Sequence, residues 1–164
     1  MKKFLALLLA LTALTALCAC TEESAPVTDR LFEEEAFLLT LTSEYERQEA
    51  ENGILYSSHH SSVHVSLVSV TELADTSLSA DCNLQEWAEA YRRINFPDGT
   101  LEEGNGLLSL SSMTENEKGT AHRFRSFFFR EGETVYLLTC SADASSFSSM
   151  EPAFLFYARS FQIK

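Results

Sequence analysis

The sequence predicts an α+β domain: an antiparallel sheet of about six or seven strands with two main helices packed on it. Three observations lead there. Extended, alternating segments dominate the chain. Helical periodicity occurs in only two stretches near the middle and the end of the chain. The later extended segments are separated by short polar breaks that contain glycine, which suits hairpins and not long crossovers. A length of 164 residues fits one domain, and 45% hydrophobic with 22% charged residues excludes a wholly disordered chain. Six Gly and three Pro exclude a collagenous one.

In chain order, Phe37, Leu39 and Leu41 alternate with Leu38, Thr40 and Thr42 as a first strand. Ser43 to Asn52 is polar and rich in Glu and reads as a connection. Two extended runs follow, Gly53 to Ser58 and Ser62 to Thr71. In the second, Val63, Val65 and Leu67 point one way and Ser62, His64 and Ser66 the other. The period then switches: Leu84, Trp87, Ala88 and Tyr91 recur at helical spacing within Asn83 to Ile94. Asp81 or Asn83 suits its N-cap, Arg92 and Arg93 its last turn, and Phe96-Pro97-Asp98-Gly99 its end. Gly106 to Met113, Thr120 to Arg130 and Thr134 to Cys140 form an antiparallel meander. Phe147, Met150, Phe154, Tyr157 and Ala158 mark a second helix capped by Ser145 or Ser146, and Ser160 to Ile163 is a short closing strand.

The amino terminus carries an address. Lys2 and Lys3 precede a run from Phe4 to Leu17 broken only by Thr12 and Thr15. Fourteen residues fall short of the roughly 20 that span a bilayer, so the run reads as a secretory segment. It ends in Leu17-Cys18-Ala19-Cys20, which resembles the lipobox of bacterial lipoproteins. Cys18 fits that pattern poorly, because Leu17 would stand where a small residue is required. The resemblance implies a diacylglyceryl thioether on Cys20 and cleavage before it, and so places the protein on the outer face of the bacterial cytoplasmic membrane or in the envelope. Residues 1–19 are then a signal peptide, 20–34 a lipid-anchored tether and 35–164 a single globular domain. Cleavage takes Lys2 and Lys3 and no acidic side chain, so the net charge moves from -12 to -14. Such a domain is repelled by anionic headgroups and by nucleic-acid phosphates, so nucleic acid is excluded as a partner and the lipid does the anchoring.

The strand Thr134 to Cys140, then Phe147, the helix to Arg159 and Ser160-Phe161-Gln162-Ile163 resemble the C-terminal half of the PsbP-like fold. That group includes the oxygen-evolving PsbP proteins, a Ran-binding nuclear relative and bacterial DcrB-type lipoproteins. The resemblance implies an α/β/α sandwich and roles in binding and assembly, and it brings no catalytic motif.

The chemistry-bearing residues are few. His59, His60, His64 and His122 are the imidazoles, and His60 and His64 are the candidate metal ligands, expected on one strand face. Among serines, at a hairpin and on a polar strand face, they read as solvated side chains, and no metal or other cofactor is expected. Cys82 and Cys140 remain once Cys18 and Cys20 are spent. In an oxidising compartment an even pair suggests a disulfide, and two separate buried thiols are the alternative. His122 to Arg130 interleaves Phe with Arg and reads as a central strand. No G-x-S-x-G elbow or phosphate loop is present, and no catalytic residue is assigned.

The expectation is a membrane-anchored, non-enzymatic lipoprotein acting as an interaction or assembly module, with membrane lipid bound through Cys20 and an envelope protein as partner. The alternative is a lipoprotein that captures a small ligand or a metal in a pocket between sheet and helix near Trp87 and Tyr91. A cavity of at least roughly 300 Å³ with converging polar groups would mark that alternative.

Overall fold

The computed structural model describes residues 27–73, 78–115 and 119–164. Ten strands, two α-helices and a 3-10 turn at Val70–Glu72 lie among them. The strands are β1 (Asp29–Glu33), β2 (Phe37–Thr42), β3 (Glu46–Ala50), β4 (Gly53–Ser57), β5 (Ser61–Ser69), β6 (Thr100–Gly104), β7 (Leu107–Glu115), β8 (Ala121–Glu131), β9 (Thr134–Asp143) and β10 (Gln162–Ile163). The helices are α1 (Leu84–Asn95) and α2 (Phe147–Ser160). Seven strands form one sheet in the order β3-β4-β5-β9-β8-β7-β6, and three form a second in the order β1-β2-β10. All pairings are antiparallel. The predicted first and closing strands therefore leave the main sheet and meet in the small one.

Alternation along the central strands sorts the side chains into two cores. On one face, Val63, Val65, Phe127, Leu138 and Cys140 pack with Phe37, Leu39 and Leu41 of β2 and with Phe147, Phe154, Tyr157 and Ala158 of α2. On the other face, Val135, Leu137, Phe128, Leu108 and Leu110 pack with Trp87, Ala88 and Ala90 of α1. The sheet is thus a wall between two separately filled layers, the arrangement of an α/β/α sandwich.

Local chemistry explains the helix starts. Asn83 Oδ1 accepts the Glu86 N–H, and Glu86 Oε2 accepts the Asn83 N–H, both at 2.9 Å. This reciprocal box satisfies two donors at the N-terminus of α1. Ser146 precedes α2 but makes no side-chain cap. Its carbonyl instead accepts the Ser149 hydroxyl at 2.7 Å.

Three strands go beyond the sequence reading: β1, β3 and β6, each with an edge of its sheet to itself. The first of them lies within the stretch 20–34 expected as a tether. Asp29–Glu33 pairs with β2, and Phe32, 5% exposed, meets the Tyr56 ring edge-on at 4.8 Å. One buried aromatic and the unpaired edge of β2 are what draw this polar segment into the domain. Residues 1–26, with the lipidation expected at Cys20, lie outside the described residues.

Candidate functional site: a cleft beside the first helix

Helix α1 covers only part of its side of the main sheet. Its apolar stripe sits over β6, β7 and β8 and over the Val135–Leu137 half of β9. Beyond that cover, the same face of β5, β9 and β8 turns polar. His64 pairs with Thr139, and Thr139 with Ser126, so these three side chains form one row across three adjacent strands. The Ser126 and Thr139 hydroxyls are 2.8 Å apart and hydrogen-bonded. In the next row, the Ser62 and Ser141 hydroxyls are bonded at 2.7 Å.

Over the His64–Thr139–Ser126 row lies a cleft of about 540 Å³. One wall is aromatic: Tyr91 at the end of the α1 stripe, Phe96 just past the helix, and Phe124 of β8. Phe96 meets Phe124 edge-on at 4.7 Å, and Tyr91 stacks on Trp87 at 5.3 Å. Ser66, Leu67, Val68, Glu72, Asn52 and Thr114 complete the lining. The volume lies within the range of small-molecule sites.

His64 is the unusual member. Its Nε2 is buried and has no hydrogen-bond partner. Burial lowers its pKa, so the imidazole is held neutral. Burial raises that of Tyr91, which keeps its phenol proton. Glu72, the sole carboxylate in the lining, faces the Ser69 N–H at 3.4 Å.

The candidate ligands His60 and His64 do not come together. His60 is exposed at the β4–β5 turn, near His59, His122 and Asp143, whereas His64 lies in the cleft. His60 sits in the turn itself, one residue before β5 begins at Ser61, so the face expected from spacing is not shared. Among the described residues, no three His, Cys, Asp or Glu are placed to hold a metal. Of the two readings open for Cys82 and Cys140, a bridge or separate buried thiols, the structure has the second. Both are free, buried thiols, Cys82 in the α1 core and Cys140 in the α2 core, with the sheet between them.

The arginines of β8 serve the fold. Arg125 pairs with Glu102 and Glu151, Arg123 lies over the Phe147 ring, and Arg130 donates to the carbonyls of Ala80, Cys82 and Gly132. Across the other end of the molecule, Glu34 accepts from Arg47 of β3 and from Tyr56 of β4. Arg47 holds the Glu34 carboxyl below the usual carboxylate range.

No family model matches the sequence, and no curated protein matches it. Solved structures do. Cyanobacterial PsbP from Synechocystis superposes with a TM-score of 0.55 at 6% identity, over 90% of this chain and 99% of that one. The fold is PsbP-like. The Ran-binding protein Mog1p of Saccharomyces cerevisiae gives a TM-score of 0.55 at 12% identity, over 84% of this chain and 96% of that one. At such identities the likeness is one of fold. Within the PsbP-like frame, the cleft is formed where α1 stops short of β5.

Proposed function

We propose that the chain is a lipid-anchored extracytoplasmic lipoprotein, and that its domain is a non-catalytic interaction module for another envelope protein. The observation that carries the interaction reading is the shared fold with a Ran-binding protein along nearly its whole length. A PsbP-like frame serves there to bind protein. The Leu17-Cys18-Ala19-Cys20 sequence supports the anchor, and a net charge of -12 is consistent with a domain held at a membrane by lipid and not by basic patches. A short tether confines such a domain and raises its effective concentration toward membrane partners, so a weak contact suffices.

The test has two arms. Cells expressing wild type and Cys20→Ser are fractionated, and the wild type is crosslinked in place and captured. Membrane retention of wild type with an unprocessed or soluble Cys20→Ser form supports the anchor, and equal retention refutes it. A stoichiometric protein crosslink supports the module; turnover of an ester, peptide or glycoside that one substitution abolishes refutes it.

The cleft beside Tyr91 favours a second reading, in which the domain captures a small ligand. Its volume and its row of converging polar groups meet the mark set for that alternative.

A further inference from the structure

We propose that the cleft between α1 and β5 binds a neutral saccharide, with its floor reading sugar hydroxyls and its aromatic wall packing against a pyranose face. This rests on the ligand-capture reading and names the class of ligand. The floor is built from groups that both donate and accept. Ser126 and Thr139 together hold two donors and four lone pairs, and their mutual bond uses one of each. One donor and three lone pairs remain on this pair, with Thr139 the more open of the two, and His64 lines the cleft beside them with its Nε2 closed to solvent. A sugar hydroxyl, donor and acceptor at once, matches that set. A purely apolar ligand would leave the set unpaired, which such sites reject strongly.

The wall supplies the other half of the recognition. A pyranose ring has an apolar C–H face as well as a polar rim, and Tyr91, Phe96 and Phe124, tilted by 51° and 60° from ring to ring, line the cleft with aromatic surface on which such a face packs. Charge argues for neutrality. An anion would meet no Lys or Arg in the lining and a domain of strongly negative charge, and a divalent cation would meet one carboxylate.

Trp87 stacks on Tyr91 and so reports on the cleft from one side chain away. The full-length chain, in a detergent without a sugar headgroup, is titrated by tryptophan fluorescence with N-acetylglucosamine trimer, cellotriose and maltotriose. Inorganic phosphate and calcium are the comparison probes. The expected result is a saturable change with at least one saccharide, weakened at least tenfold in Ser126→Ala/Thr139→Val and in His64→Phe. Replacing both hydroxyls together leaves no orphaned partner, so the fold is retained, which thermal unfolding checks. Ser62→Ala/Ser141→Ala, the neighbouring pair outside the cleft lining, should bind as wild type does. The proposal is overturned if no saccharide saturates, if the cleft variants bind normally, or if both hydroxyl pairs matter equally. Saturation by phosphate or calcium alone overturns the saccharide class and leaves the capture reading standing. If neither these probes nor a fragment library shifts the His64 and Tyr91 resonances, both fail.

Discussion

His64 places an ionisable ring in a half-buried position with nothing to stabilise its charged form. Burial depresses its folded pKa below the ordinary 6.5, so between the two values the unfolded chain binds the proton and the folded one does not. Stability from the neutral ring is therefore present above about pH 6.5 and lost as the pH falls through the folded value. We expect acidification from pH 7.5 to 5 to lower the thermal midpoint of wild type more than that of His64→Gln. Equal shifts in the two proteins would disprove it. Trp87 poses a different case, a fully buried indole whose Nε1 has no partner. Trp87→Ala should cost about 3–5 kcal/mol through the cavity it leaves. Trp87→Phe should cost clearly less, because it retains much of the volume and removes the orphaned N–H. Chemical denaturation of both variants decides the order. The thiols give a third check. Burial drives the Cys140 pKa far up, so it should resist alkylation in the native state, and both thiols should label in denaturant without reductant. Protection of both under those conditions would restore the bridge.

Among the elements, the β4–β5 pair depends on a single glycine. Gly53 adopts φ of +148°, and a Cβ there would lie 2.0 Å from the Val65 carbonyl oxygen. Gly53→Ala should therefore push β4 off β5 and lower the denaturation midpoint strongly. Gly104→Ala, with no atom within 4 Å of its Cβ, should change little. An indistinguishable pair would contradict the close approach. The same dipeptide explains what the pattern reading overlooked. Asn52-Gly53 and Asn105-Gly106 are hairpin signals, the second with φ of +55° and +75°. They bracket β3 with β4 and β6 with β7. Two of the three missed strands, Glu46–Ala50 and Thr100–Gly104, are hairpin edges, mostly exposed and rich in Glu. An edge strand needs no two-sided burial, so hydropathy leaves little trace of it, while the turn chemistry does. The helices and the central meander, which must bury apolar faces, were legible to within a few residues. The cleft was legible only as a neighbourhood, near Trp87 and Tyr91. Its floor joins His64, Ser126 and Thr139 from strands far apart in sequence, and only register aligns them.

At the scale of the whole molecule, the main sheet separates two cores that share no side chain. Substitutions on opposite sides should then act independently. Trp87→Phe and Phe154→Leu should combine in the double variant to within about 0.5 kcal/mol of the sum of the singles. A larger coupling would mean that the wall transmits strain between its faces.

The small sheet gives the domain a back. Phe32, Leu39 and Leu41 of β1 and β2 join the core on the α2 side, whereas His64, Thr139 and Ser126 look out from the α1 side. The first described strand, β1, thus lies behind the wall, and the cleft opens in front of it. The domain is built like a cupped hand, with β1 and β2 across its back and the cleft in its palm.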